Sequence, residues 1–406
     1  MKDGKYRVLH LCEHPVQYNT ILWNLQARHP KLDILVAYCN LRGAQAAMHP
    51  EFGVEVKWDV PLLDGYPWIL IPPAKARENG SGRPGFFSKE LWRLVRDGGF
   101  DAIYVGGYYF PEAWRVLFAA KRLGIPYILS TDVHALESRR ARNPISRVIK
   151  KAIVGRIFRM AGAVSTGSSG ATAYVQSLGV PADGIILGRN TVDNNWWAAR
   201  AAEVDRIAVR REWNIPADAL VALFCAKLQS WKRPGDLLEA FACANVPGSH
   251  LVFAGDGPLR RELEQRAGSL RLSDRVHFLG FVNQSGLPAV YTASDLLVLP
   301  SDYEPFGLVV NEAMICGCPA VVSDRVGAKY DLVREGITGS VFPCGDVNAL
   351  AATIRSLLTD RPRLARISAA ARERLKSWTP EMNVESFVET VELAVKRNPR
   401  MEKKVH

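Results

Sequence analysis

A chain of 406 residues is long enough for two or three domains of about 150 residues each. Its composition, 48% hydrophobic and 23% charged, excludes a disordered or fibrous protein. No run approaches the roughly 18 apolar residues that a membrane-spanning helix needs. Residues 1–190 hold 25 Lys and Arg against 15 Asp and Glu, while residues 191–406 hold 27 against 26. Nearly all of the +11 net charge therefore sits in the first half, where an anionic partner is expected to meet the protein.

The N-terminus is charged as far as Arg7 and then apolar for only a few residues. It reads as a first strand over 6–11 and not as a signal peptide. A helix over 20–28 and a strand over 32–38 follow, and the Gly/Pro-rich stretch 72–85 reads as a long loop. A strand over 102–105, a helix over 113–123 and a strand over 127–130 continue the pattern. The second half repeats it, with strands over 221–225, 250–254, 276–279, 296–299 and 320–323 and a helix near 235–244. Strands alternating with helices specify a parallel sheet covered on both faces. The polar turn near 188–195 divides the halves, so the domains are expected at 1–188 and 189–381. Two doubly wound domains facing each other would bind ligands in a cleft beyond the carboxyl ends of their strands.

Several chemistries lack their motifs. Gly255-Asp256-Gly257 is half of a dinucleotide-binding turn, with Arg260 where the third glycine belongs. No Walker sequence, H-E-x-x-H or Asp-x-Asp pair occurs, which leaves nicotinamide, P-loop and metal-assisted reactions unsupported. The seven cysteines are odd in number and dispersed, with only Cys316 and Cys318 close together. Reduced thiols in a cytosolic protein fit this best.

The stretch Pro300-Ser301-Asp302-Tyr303-Glu304-Pro305-Phe306-Gly307-Leu308-Val309-Val310-Asn311-Glu312 carries the most chemistry. It follows a strand, is broken by Pro305 and Gly307, and turns helical from Leu308. Glu304 falls in the loop. The N–H groups of Gly307 and Leu308 lie at a helix start suited to phosphate. Glu312 is expected about one and a half turns into the helix, where it could accept bonds from diol hydroxyls.

This stretch resembles the E-x7-E signature of the family GT4 retaining glycosyltransferases, which have the GT-B fold. The resemblance extends closely over 185–352. Leu223 to Leu228 with Trp231-Lys232, Gly255-Asp256-Gly257-Pro258, Cys316-Gly317-Cys318-Pro319 and Val326-Gly327 are all similar to segments of that family. Lys227 stands where the family has arginine, and Ala226 where it has glycine. Cys12 to Tyr18 replaces the family's glycine-rich first loop.

The resemblance implies a metal-independent sugar transfer (EC 2.4) from a nucleotide sugar to a hydroxyl acceptor, with retention and no cofactor. Glu304 would bind the donor sugar, and His134, at the end of a strand, would approach it as the second catalytic residue. Lys227, Lys232, Phe306, Gly307 and Leu308 would hold the diphosphate side, Glu312 the ribose, and the segment ending at Val282 the nucleobase. Both lysines are expected to be solvent-accessible. His14 and Asp132 are candidates for acceptor contact, and His10 is structural. A helix over 383–397 would cross back onto the first domain.

The run 139–159 holds eight Lys and Arg and no acid, with Ile145, Val148, Ile149, Ala152, Ile153 and Ile157 at helical spacing. Such a helix suits an anionic inner membrane surface or an anionic acceptor. Glycan or glycolipid synthesis in the cytoplasm is the expected setting. A nucleotide-sugar epimerase on the same fold and a nucleic-acid-binding regulator are the alternatives.

Overall fold

Fifteen short strands among the described residues, mostly buried and apolar, organise the computed structural model of the protein. It describes residues 4–49, 54–71, 89–134 and 144–398, excepting the side chains of 47–49, 54–56 and 144–150. In chain order the strands are β1 (Tyr6–Cys12), β2 (Leu32–Tyr38), β3 (Ala47–His49), β4 (Val54–Val56), β5 (Trp68–Leu70), β6 (Ala102–Val105), β7 (Tyr127–Thr131), β8 (Ala163–Thr166) and β9 (Ile185–Leu187). They continue as β10 (Leu220–Cys225), β11 (Ser249–Ala254), β12 (Val276–Gly280), β13 (Leu296–Leu299), β14 (Ala320–Ser323) and β15 (Gly339–Phe342).

Seven strands form one parallel sheet in the order β5-β2-β1-β6-β7-β8-β9, and six form another in the order β12-β11-β10-β13-β14-β15. Both orders double back about a central strand, as expected of doubly wound sheets. The chain separates into two compact units. The first is Met1–Gln45, Pro61–Asn190 and Pro380–His406; the second is Ala46–Val60 and Thr191–Thr379. The antiparallel pair β3-β4 thus comes from the first half of the sequence yet belongs to the second unit.

The first sheet shows why its strands are apolar on both sides. Successive residues of a strand face opposite ways, so Val8 joins a core with Trp23, Ile34, Ile128 and Phe387. Its neighbour Leu9 joins another with Ile103, Leu129, Leu117 and Phe158. The C-terminal helix Pro380–Lys396 belongs to the first unit and supplies Phe387, Val388, Val391 and Ala394 to that unit's core. His10 is enclosed by Trp23, Tyr104 and Phe387, with ring centroids 4.4–5.0 Å away. Burial pushes its pKa down to about 3 against the opposing influence of Gln26, so it is a neutral packing residue.

The basic helix spans Pro144–Arg159. Its core face is formed by Val154 and Phe158, with Ile157 packed beside them, whereas Ala152 and Ile153 are exposed. Of the apolar stripe read from the sequence, Ile157 packs on the core while Ala152 and Ile153 face away from it; the side chains of Ile145, Val148 and Ile149 lie outside those described. Lys151, Arg156 and Arg159 are exposed. Arg139, Arg140, Arg142 and the loop 72–85 lie outside the described residues. Among the described residues no helix is long and apolar enough to cross a membrane.

Candidate active site

In the second unit, β13 is fully buried and delivers the chain to the loop that carries Glu304. Parallel pairing with the loop after β14 fixes this backbone. The Glu304 N–H donates to the Arg325 carbonyl (3.1 Å), and its own carbonyl accepts from Gly327 N–H (3.0 Å). The Phe306 carbonyl accepts from Ala328 N–H at 2.8 Å. Gly327 has to be glycine here, because a Cβ would overlap the Pro305 carbonyl oxygen. Gly307 turns the chain with φ +96°, a conformation that favours glycine, just ahead of the helix Val309–Ile315.

The Glu304 carboxylate is ion-paired with Lys232 Nζ, which also lies 4.4 Å from the centre of the Trp231 ring. Lys232 closes the short 3-10 turn Ser230–Lys232, and the Trp231 carbonyl in that turn accepts from Asp302 N–H at 2.9 Å. The expectation of an accessible lysine is corrected: Lys232 is 8% exposed. The turn points it inward, and burial of an ammonium is tolerated because a carboxylate meets it. Lys227 is half-buried on the preceding turn.

Glu312 lies in the first turn of its helix, nearer the loop than the spacing indicated. It is buried, and Tyr291 of the helix Leu287–Ala293 donates to its Oε2 at 2.7 Å. The Tyr291 oxygen is also 3.3 Å from Cys225 Sγ, at the end of β10. A phenol has one proton, so with the carboxylate ionised Tyr291 donates to Glu312 and accepts from the Cys225 thiol. Burial raises the Glu312 carboxyl to about 7, opposed by the Tyr291 bond. Tyr291 thus joins Glu312 to the end of β10. Tyr291 escaped notice in the sequence, since a lone tyrosine on an apolar helix carries no motif.

The Gly-Asp-Gly turn after β11 is scaffold. Gly255 and Gly257 have φ +145° and +156°. A Cβ on Gly255 would overlap the Ala226 carbonyl, and one on Gly257 would come within 2.6 Å of the Leu228 carbonyl. The turn thus backs the segment bearing Lys227. Asp256 is committed to Arg260 (3.0 Å) and to Gly257 N–H (2.8 Å). Phe306, offered by the sequence as a donor contact, is buried and stacked on Trp378, so its side chain is occupied by packing. Val282 is half-buried beyond β12. Next to it, Asn283 donates to the Lys57 carbonyl (2.8 Å) and Ser285 bonds Asp59, which ties the displaced segment Ala46–Val60 to this edge.

In the first unit a cavity of about 450 Å³ opens at the carboxyl ends of the strands. Its lining includes Glu13 and His14 after β1, Asp132 after β7 and Arg189 after β9. His14 and Asp132 thus share one cavity. His134 lies half-buried two residues beyond Asp132, also in the first unit, while Glu304 belongs to the second.

Residues 205–374 match the family model for glycosyl transferases group 1, and residues 36–191 match that for the glycosyl transferase 4-like domain. A 2-deoxystreptamine N-acetyl-D-glucosaminyltransferase of Streptomyces fradiae is 33% identical over 231 residues, 56% of this chain and 46% of that one. A glycogen synthase of Mycobacterium tuberculosis is 38% identical over 154 residues, 38% of this chain and 37% of that one. The chain thus spans less than half the length of either relative. Among solved structures, HepE of Anabaena in complex with UDP and glucose superposes with a TM-score of 0.71 at 20% identity, covering 95% of this chain and 99% of that one. The two parallel-sheet domains have the GT-B fold.

Proposed function

Since the chain is built of two glycosyltransferase-family domains, we propose that it transfers a sugar from a nucleoside-diphosphate sugar to a hydroxyl acceptor, with retention and without metal. The observation that carries this reading is the acid pair of the second unit. Glu304 is held on Lys232, and Glu312 is held by Tyr291 beside the end of β10. Glu304 would accept bonds from the donor sugar hydroxyls, and Glu312 from the ribose. Lys232 and Lys227, with the N–H groups of Gly307 and Leu308, would stabilise the charge that grows on the departing diphosphate. On this reading the protein works in the cytoplasm in glycan or glycolipid synthesis, its exposed basic helix resting on an anionic membrane face. Neither the epimerase nor the nucleic-acid reading draws support from the family matches.

A screen of nucleotide sugars, read by mass spectrometry, tests the reaction. One donor should release its nucleoside diphosphate slowly without acceptor and quickly with one, at an undiminished rate in EDTA. Release from none of them would reject sugar transfer, and loss in EDTA with recovery in magnesium would reject the metal-free route.

Glu312 makes a separate prediction. Its carboxyl is raised to about 7, so it is ionised above that pH and increasingly protonated below it. A ribose diol needs an acceptor, so donor KM should rise about tenfold per pH unit below about 7 and level off above it. A KM flat between about pH 5.5 and 8 would remove Glu312 from donor binding.

A further inference from the structure

Glu312 does not hold its position alone. We infer that Tyr291 is a positioning residue for donor binding: its hydroxyl ties down one oxygen of Glu312, so that the carboxylate faces the accessible side and accepts from the ribose hydroxyls. This rests on the glycosyltransferase reading above.

The bond between them lies where the core meets the accessible surface. Tyr291 is wholly enclosed, its ring 5.8 Å from that of Trp197, whereas Glu312 keeps 8% of its surface exposed. The accessible part of Glu312 therefore lies on the side away from Tyr291. An ionised carboxylate has about four acceptor sites, and the 2.7 Å bond from Tyr291 occupies one of them, on Oε2. A glutamate anchored in this way has given up rotamer freedom before the ligand arrives, which lowers the cost of binding. The Tyr291 oxygen is fixed from behind by Cys225 Sγ at 3.3 Å. A thiol donating to that oxygen polarises the phenol and makes it a better donor to Glu312.

The same bond governs when Glu312 is charged. Burial raises its carboxyl to about 7, and the bond from Tyr291 opposes that rise. Among the described residues, Glu312 is met by Tyr291 and acts on two thiols, Cys225 of β10 and Cys316 at the end of its own helix. The helix Asn194–Ala202 presents Trp197, which does not titrate, to Tyr291. Burial pushes both thiols up to about 12, reinforced by Glu312, and it raises the phenol as well. Lys232 acts in the opposite sense on Cys225, and Arg372 of the helix Arg361–Leu375 does so on Cys316. Between about pH 6 and 9 the phenol and thiols keep their protons, and of this set Glu312 is the group that titrates. Without the phenol proton, its carboxylate should form only at higher pH.

Two measurements on the full chain test the inference, each with wild type and Tyr291→Phe, which keeps the ring and removes the hydroxyl. The first is carbon NMR of protein labelled at the glutamate carboxyl, with the Glu312 signal assigned by its loss in Glu312→Gln. Its midpoint is expected about one pH unit higher in the variant, the scale of one hydrogen bond to a charged group. The second is calorimetric binding of UDP, GDP and ADP. The one that binds tightest should bind the variant about threefold more weakly than wild type at pH 9, from the freed side chain alone. At pH 6 the deficit should grow about tenfold further, because the variant has lost the carboxylate as well. An unmoved midpoint, equal deficits at the two pH values, no deficit at either, or no binding to wild type would each overturn the inference. Should Tyr291→Phe fail to fold, Cys225→Ala is expected to move both readouts the same way, by about threefold at pH 6. Because no sugar is transferred in either measurement, a chain that shows both shifts but releases nothing in the nucleotide-sugar screen would reject sugar transfer and leave this inference standing.

Discussion

Replacing Lys232 with alanine is expected to lower turnover about a hundredfold or more, the scale of removing one group that stabilises transition-state charge. The burial of this lysine adds a second consequence. The Lys232 and Glu304 side chains are only 10% and 16% exposed, so the variant leaves a mostly desolvated carboxylate without its cation. Breaking such a pair costs about 2–3 kcal/mol once residual solvation is allowed for. For a unit of this size that corresponds to a Tm lower by about 5–10 °C. Substituting both partners, Lys232→Met with Glu304→Gln, removes the orphaned charge and should recover most of the Tm but none of the turnover. Two measurements decide: activity assayed well below the variant's Tm, and the melting curve itself. Near-normal turnover would take Lys232 out of the reaction, and an unchanged Tm would show that the pair contributes nothing to the fold.

Gly255→Ala is expected to be the most damaging single methyl in the second unit. The backbone sits at φ +145°, where an L side chain is strained, and the new Cβ would meet the Ala226 carbonyl, part of a backbone already bonded to the Ala254 carbonyl through Ala226 N–H. Backbone strain of about 1–3 kcal/mol adds to an overlap that only a main-chain shift relieves. A Tm loss of about 10 °C or more, or failure to accumulate as soluble protein, should result. Any folded fraction should have lost activity, because the strand end that moves leads into Lys227 and Lys232. Gly336→Ala is the control: φ is +69° there, but nothing lies within 4 Å of the added methyl. It should cost only the strain of a left-handed residue, about 1–2 kcal/mol, and no overlap. Equal losses in the two variants would mean that close packing of the Gly-Asp-Gly turn is not what makes Gly255 necessary.

These two residues differ in how far the sequence exposed them. Gly255 was visible as a motif, yet its reason was not, because the Ala226 carbonyl it must clear lies just beyond the end of the neighbouring strand β10. Lys232 was visible as a cation after a buried strand, and its exposure was misjudged. Its carboxylate partner stands 72 residues away, a separation at which spacing says nothing about which way a side chain turns. Tyr291, which holds Glu312, was not visible at all.

What the sequence determined by itself was everything set by short-range regularity. Apolar runs alternating with helical periods specified the parallel sheets, since strands buried on both faces must be continuously apolar. Pro305 and Gly307 placed a break between β13 and the helix that bears Glu312, because one cannot supply an N–H and the other permits φ +96°. Tertiary structure alone decided the rest. It assigned Ala46–Val60 to the second unit, through the bonds of Lys57 and Asp59 to Asn283 and Ser285. It chose Val154 and Phe158 as the buried side of the basic helix, and it gathered two carboxylates into a first-unit cavity whose chain is otherwise basic. Net charge sums over a surface, whereas recognition depends on the few groups that a fold turns toward one cavity, and only packing selects those.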